Sequence, residues 1–279
     1  MPRHVDALTA PTLKHLREHW WDSDFSEFLR ETLRPRPGTR ILDVGCGDGT
    51  AELSLGRLQI SQVSLFAVDI RIGRAKQTMQ AASSHNIRLS VAAADVLALP
   101  FANDAFDSTF CVALLQHTTD PSKAVAELAR VTKPGGRVVA VEPDNAARYW
   151  FSSLESGRHA YEMAGRFFSA LSAQRGDRTD LSVGPKLPGT FAANGLEPLW
   201  VNLFPVSVTR MGPPPPAVWQ GRRQALASLR DTCDGTVKPL ADEYLVSLDR
   251  YAEEAATAGP GFVEIQNTML FAAVGQKPE

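Results

Sequence analysis

The segment ILDVGCGDGT, residues 41–50, holds the densest chemistry in the sequence. An apolar run ends in an acid, Asp43, and is followed by Gly45, Gly47 and Gly49 alternating with Cys46 and Asp48. Glycines at this spacing let a backbone turn tightly and approach a ligand, and open α/β sheets bind ligands beyond the C-terminal ends of their strands. The spacing is GxGxG, one place short of the GxGxxG dinucleotide fingerprint. Asp43 and Asp48 would repel a pyrophosphate; they suit a ligand with a positive group and hydroxyls. Asp69 closes the next apolar run, VSLFAVD, where a carboxylate can accept two hydrogen bonds from a ribose diol. Asp95 closes a third, RLSVAAAD, where a carboxylate can accept from an exocyclic adenine amine. A single aspartate at a strand end reads as a turn former. Three in order, each closing a strand at the same sheet edge, read as one site.

Such a site needs strands that end together. RILDVG (40–45), VSLFAVD (63–69), RLSVAAAD (88–95), FDSTFCVALL (106–115) and GRVVAVE (136–142) alternate with helical stretches near 50–59, 72–84 and 120–131. This alternation predicts a parallel sheet with helices on both faces. Lys133-Pro134-Gly135-Gly136 is a sharp turn into the fifth strand. Residues 5–34 read as a helix stopped by Pro35-Arg36-Pro37-Gly38. After 144 the rhythm breaks. A helix is predicted over 145–181 and a short one over 187–194, which Gly195 would cap. A proline-bearing strand at 196–209 is restricted to an edge or to irregular positions. Helices follow across 217–257 after the Pro213–Pro216 spacer, and 267–278 forms a last strand.

Composition sets the outer bounds. The 279 residues are 44% hydrophobic, which excludes disorder throughout, and 29 basic against 31 acidic side chains leave a formal charge of −2. That balance disfavours nucleic acid as a partner. No apolar run reaches the ~18 residues of a membrane span, and the N-terminus lacks a signal peptide's apolar middle. Cys46, Cys111 and Cys233 are too few and too scattered for a disulfide framework or a metal site. A soluble, cytoplasmic, metal-free protein is expected.

ILDVGCGDGT, FAVDI (66–70), ADVLALPF (94–101), FDSTFCVALLQHTTDP (106–121) and LARVTKPGGRVVAVEP (128–143) resemble the successive motifs of class I S-adenosylmethionine-dependent methyltransferases. The likeness is to small-molecule enzymes of the quinone-biosynthesis and sterol type. It covers about 39–144, and 187–208 and 265–278 resemble the family's last two strands. The resemblance implies a Rossmann-like, doubly wound α/β sheet of seven strands, order 3-2-1-4-5-7-6, with the last antiparallel. It implies S-adenosyl-L-methionine as cofactor and S-adenosyl-L-homocysteine as product. Asp43, Gly45, Cys46, Gly47 and Gly49 would then line the methionine and ribose portions, and Asp69 would hold the ribose hydroxyls. Ile70 would pack on the adenine, with Asp95 and Val96 facing its edge. Cys111 on the fourth strand and Gln116 after it would complete the cofactor-binding set, and His117 follows, where the substrate side begins. No Asn-Pro-Pro-Tyr motif follows that strand. Neither Cys46 nor Cys111 stands where cytosine-C5 enzymes carry their nucleophile.

On the substrate side, His117 could take a proton from a hydroxyl or amine, or simply shape the pocket wall. Glu142, with Asp144, could orient a substrate amine or hydroxyl or cap a helix beginning near Asn145. Trp20, Trp21, Tyr149 and Trp150 are candidates for a flat apolar substrate site, set against a role in the cap core. The expected division is a helical cover (1–38), a cofactor-binding core (39–144), a helical insertion over the active site (145–186), and a C-terminal core part (187–279) with a cap insertion at 210–262. The expected reaction is methyl transfer to a small metabolite of natural-product type, at oxygen, by in-line displacement. Nitrogen or carbon methylation, a non-catalytic cofactor-binding module and a nicotinamide oxidoreductase are the alternatives. Expected partners are a small-molecule substrate, no nucleic acid and no membrane, in a monomer or homodimer.

Overall fold

The computed structural model describes Leu8 and residues 20–57, 62–176 and 179–279. Most of the expected helix over 5–34 lies outside these residues. Its described part is α1 (Ser23–Leu33), which begins where the Asp22 carboxylate accepts from the Phe25 N–H at 2.9 Å. The first half of the chain continues with β1 (Arg40–Val44), α2 (Thr50–Arg57), β2 (Ser64–Asp69), α3 (Ile72–Ser84), β3 (Leu89–Ala93) and β4 (Phe106–Val112). A 3₁₀ turn at Leu115–His117 leads to α4 (Pro121–Val131) and β5 (Thr132–Pro143). Then come β6 (Tyr149–Ser152), α5 (Glu155–Arg175), α6 (Leu187–Ala193) and β7 (Glu197–Met211). The last elements are α7 (Pro216–Arg230), α8 (Lys238–Ala258) and β8 (Val263–Gln276).

The strands hydrogen-bond in the order β3-β2-β1-β4-β5-β8-β6, and β7 also pairs with β8. The first five are parallel, and β8 runs antiparallel to β5. This is the predicted order, with the short β6 as an additional strand. The predicted Lys133–Gly136 turn lies inside β5 as a bulge, where pairing steps from Phe106–Thr132 to Ser108–Arg137. Among the described residues, strand β7 pairs with β8 alone and leaves Trp200, Val201 and Leu203 exposed, the edge position its prolines require.

The chain divides into two compact units. The sheet unit comprises Glu18–Asp144, Thr179–Phe204 and Leu270–Glu279. Its core sets Leu42, Val44 and Phe106 against Val125, Leu128 and Val138. Helix α4 turns that apolar face inward because Asp120 caps it, accepting from the Lys123 N–H at 2.9 Å, with Pro121 in the first turn. Strand β1 is therefore flanked by strands on both sides, and everything at its C-terminal end is held by a buried frame.

The helical unit contains Asn145–Arg178 and Pro205–Met269. Its core includes Phe167 and Leu171 of α5, Tyr244, Leu248 and Tyr251 of α8, and Phe262. The helix predicted over 145–181 begins only at Glu155. Tyr149, Trp150 and Phe151 form β6 instead, antiparallel to Ile265–Asn267, because an aromatic triplet suits a pleated surface better than a helix. Buried Glu264 accepts from Arg210 Nη1 and Arg222 Nη2, each at 2.6 Å, and from the Tyr251 hydroxyl at 2.9 Å. The Arg222 guanidinium lies 4.6 Å from the centre of the Trp219 ring.

Candidate active site

The loop after β1 is tied to the end of β2 from several directions. Gly45 and Cys46 both donate their N–H to the Val68 carbonyl, at 2.7 and 3.0 Å. The Gly47 N–H donates to Asp69 Oδ2 at 3.1 Å, and the Arg71 N–H donates to Asp69 Oδ1 at 2.8 Å. Thr78 of α3 donates its hydroxyl to the Gly47 carbonyl at 3.0 Å. Asp48 is exposed and accepts from the Thr50 hydroxyl at 2.7 Å at the start of α2. The loop is thus a rigid shelf, its conformation set before any ligand arrives.

Two glycines are required by space as well as by torsion. Gly45 has φ +89°, and a Cβ there would lie 3.0 Å from a Leu114 methyl. Gly49 has φ +88°, and its Cβ would lie 3.1 Å from the Thr78 Cα, a backbone atom that cannot swing away. Gly49→Ala is expected to destabilise the protein by about 1–3 kcal/mol, strain and overlap together. Urea denaturation measures it; an unshifted midpoint would refute the close-packed loop.

The acids around this shelf are in unequal environments. Asp43 and Asp69 are buried, while Asp95 is exposed and accepts from the Leu97 N–H at 2.9 Å. Glu52, in the first turn of α2, is buried at 2% exposure. Burial, with the charge of Asp48 nearby, pushes its carboxyl up to about 7, against the opposing effect of a hydrogen bond with the Asp43 side chain. No Lys or Arg among the described residues pairs with Asp48, Glu52, Asp69 or Asp95. Burial also pushes the Cys46 thiol well up, with Asp43 adding to it, so Cys46 stays a thiol at neutral pH. Cys111 is fully buried in the core and is pushed up likewise. Its side chain packs within the sheet core, in the cluster that includes Leu42, Val44 and Leu115.

Beyond the acids, Ile70 is 67% exposed directly after Asp69, an apolar side chain in water where a flat ring could cover it. Val96 is buried in the core after β3. At the end of β4, Ala113 takes the left-handed φ of +52°, a strained value for a residue with a Cβ. It turns the chain into the 3₁₀ segment that carries Gln116, buried, and His117, exposed. Fully buried Glu142 fixes that turn: its Oε1 accepts from Leu114 N at 2.7 Å and Leu115 N at 2.6 Å. No helix starts near Asn145, so the capping expectation falls; Asp144 forms a bridge with Ser182. Glu142 acts on backbone amides that its sequence position could not announce.

The contacts above tie the loop 45–49 to Val68, Asp69 and Thr78 and put Leu114 beside Gly45; Asp43 precedes the loop, Ile70 follows Asp69, Gln116 and His117 follow the Leu115 amide held by Glu142, and Asp95 stands one residue after Ala94, whose N–H donates to the Asp69 carbonyl at 3.1 Å. Trp20 is buried, and Trp21 packs edge-on against Phe25 with ring centres 4.9 Å apart. Tyr149 and Trp150 belong to the helical unit, where Trp150 stacks on Tyr161 at 4.9 Å, a packing role. Sequence reasoning missed Glu52 and Thr78, which belong to no strand-end pattern, and the part of Leu114, at the end of the fourth run, in fixing the space beside Gly45.

Comparison with known proteins agrees with this geometry. The family described as Methyltransferase domain matches residues 42–140. A ubiquinone biosynthesis O-methyltransferase of Thiobacillus denitrificans is 31% identical over 175 residues, which cover 58% of this chain and 68% of that protein. The chain belongs to the S-adenosylmethionine-dependent methyltransferases. Another relative in this family, the ubiquinone/menaquinone biosynthesis C-methyltransferase UbiE of Geotalea daltonii, is 34% identical over 126 residues, 43% of this chain. The match spans about half of that relative's length, 52%. A solved methyltransferase-fold structure from Bacillus halodurans superposes with a TM-score of 0.58 at 15% identity, covering 92% of this chain and 100% of that one.

The family's cofactor suits the residues present. Its cationic groups would suit a shelf rich in carboxylates, its hydroxyls the Asp69 carboxylate, and its base the exposed Ile70 side chain.

Proposed function

We propose that this chain transfers the methyl group of S-adenosylmethionine to a small-molecule acceptor, at an oxygen atom. The observation that carries the reading is the acidic glycine shelf latched to Asp69, with exposed Ile70 beside it and none of Asp48, Glu52, Asp69 and Asp95 ion-paired to a described Lys or Arg. In this reading Asp69 holds the ribose hydroxyls, Ile70 covers one face of the adenine, and Asp95 with Val96 meets its edge. Asp43 and the glycine backbone take the methionine portion. When bound, the sulfonium supplies an already activated methyl carbon. The protein's share is alignment at about 3 Å and exclusion of water.

His117 is the proposed base. It is exposed on a turn whose amides are pinned by Glu142, so its ring is carried on a fixed platform. His117→Ala is expected to lower turnover on the order of 10²–10⁴-fold while leaving the affinity for S-adenosylhomocysteine unchanged. Equal turnover would remove it from the mechanism. Gln116, beside it, closes the cofactor side.

We assign acceptor choice to segments 145–186 and 210–262, which carry no cofactor motif, and place the protein in the cytoplasm, in keeping with its free cysteines. No helix among the described residues is long and apolar enough to cross a membrane. Methyl-labelled S-adenosylmethionine offered with panels of phenols, amines and enolisable carbon acids tests the reading. Label on a phenol oxygen is the expected result. Label on nitrogen or carbon overturns the oxygen assignment, and absence of cofactor binding overturns the whole reading.

A further inference from the structure

At the end of β4 the chain makes a turn that its own residues do not favour. The last ladder bond runs from the Ala113 N–H to the Val141 carbonyl at 2.8 Å. Ala113 then takes φ +52°, a left-handed conformation in which a Cβ crowds the following carbonyl. A glycine would take that torsion freely; an alanine keeps it only where its surroundings hold it there.

The holder is Glu142, on the neighbouring strand. Its Oε1 accepts from Leu114 N at 2.7 Å and from Leu115 N at 2.6 Å, the two amides that follow the strained residue. Two amide donors on one buried oxygen favour the ionised carboxylate. Glu142 itself has little room to give way. It pairs with Phe271 in the sheet, and a Cβ on Gly184 would lie only 2.7 Å from its carbonyl oxygen. Within the turn, the His117 N–H and the Thr118 hydroxyl donate to the Leu114 and Leu115 carbonyls, each at 2.9 Å. On the far side, the Asp180 N–H donates to the Gln116 carbonyl at 3.2 Å. His117 is therefore exposed at the end of a turn anchored at Gln116 and clamped at Leu114 and Leu115.

We propose that Glu142 is the positioning residue for His117: its charge, rather than its bulk, offsets the left-handed strain at Ala113 and so sets where the ring stands. An amide at position 142 keeps the shape, loses the charge, and makes weaker bonds to the two backbone donors. The turn then relaxes toward ordinary torsions while Asp180 still holds Gln116, so the ring is displaced without the turn unfolding. A glycine at position 113 takes the same torsion without strain and removes the need for the charge. This role presupposes that His117 is the base, as assigned above.

Turnover of Glu142→Gln tests it, measured on the phenol that the wild type labels and counted per molecule that binds S-adenosylhomocysteine, so that unfolded protein drops out. Its kcat should fall about 10–10²-fold, the cost of a small misplacement, with KM and the Kd for S-adenosylhomocysteine changed by less than about threefold. Adding Ala113→Gly should bring kcat back to within about threefold of the wild type. A residue that merely stabilised the fold would show neither the loss per binding site nor its recovery. Wild-type kcat in Glu142→Gln, or a loss that Ala113→Gly leaves untouched, overturns the clamp and leaves the base assignment standing. Full turnover in His117→Ala overturns both. Should Glu142→Gln fail to fold, the double variant decides: kcat near the wild type supports the clamp, and kcat as low as that of His117→Ala refutes it. With no phenol labelled, the ring carbon-13 signal of His117, assigned by its loss in His117→Ala, is read instead. It should shift in Glu142→Gln and return in the double variant, and an unmoved signal refutes the proposal.

Discussion

Asp69→Ala is expected to weaken S-adenosylhomocysteine binding by about 10²–10³-fold. The carboxylate does two things at once. It accepts from Gly47 N and Arg71 N, locking the loop to the end of β2, and it keeps lone pairs for ligand hydroxyls. Hydrogen bonds to a charged group contribute about 1.5–3 kcal/mol each, and each 1.4 kcal/mol is tenfold in affinity. Losing the ligand's bonds alone gives the lower figure, and loosening the shelf adds the rest. Asp69→Asn keeps one acceptor oxygen and should fall between. Calorimetry reads both variants, and an unchanged Kd for the alanine variant would sink the assignment of Asp69 to the ribose.

Glu264→Ala should cost about 3–5 kcal/mol of stability in the helical unit, the largest structural effect expected of a single substitution here. Glu264 is fully buried and joins Arg210, Arg222 and Tyr251 in one cluster. Truncating it strips the carboxylate from Arg222, itself 1% exposed in its side chain, and leaves a buried guanidinium beside Trp219. The phenol of Tyr251, pushed up by burial and by Glu264 itself, stays neutral and cannot replace the lost anion. The double variant Glu264→Leu with Arg222→Met should recover much of the loss, because it replaces the buried guanidinium together with its carboxylate by apolar side chains. Urea denaturation measures each; a loss under about 1 kcal/mol would mean that water reaches the cluster.

The strand-end acids and the loop glycines were legible because each is a local signal: an apolar run, an acid, a small residue at a set spacing. The sheet order followed from the same runs. Glu52 was not legible, since a glutamate in the first turn of a helix looks like an ordinary surface acid favoured by the helix dipole. Only the fold reveals that β1 lies against it. Glu142 was seen as a candidate, yet its partners are backbone amides 27 and 28 residues away, which no side-chain pattern encodes. Trp150 misled the helix assignment because aromatics satisfy helical spacing and a pleated strand equally over so short a stretch.

Pairing of Pro143 with Leu270 and of Arg137 with Gln276 has a consequence for how this protein comes into being. As the ribosome extends the chain at about 5–20 residues per second, β5 emerges and docks on β4, but its other edge waits on the order of ten seconds for β8. During that interval the whole of α5, α7 and α8 is made. A nascent protein with an open centre strand carrying the apolar run Val138–Val141 is a natural client for chaperones and a template for wrong pairing. Val139 and Val141, which meet Val274 and Ala272 only when β8 arrives, are where that hazard concentrates.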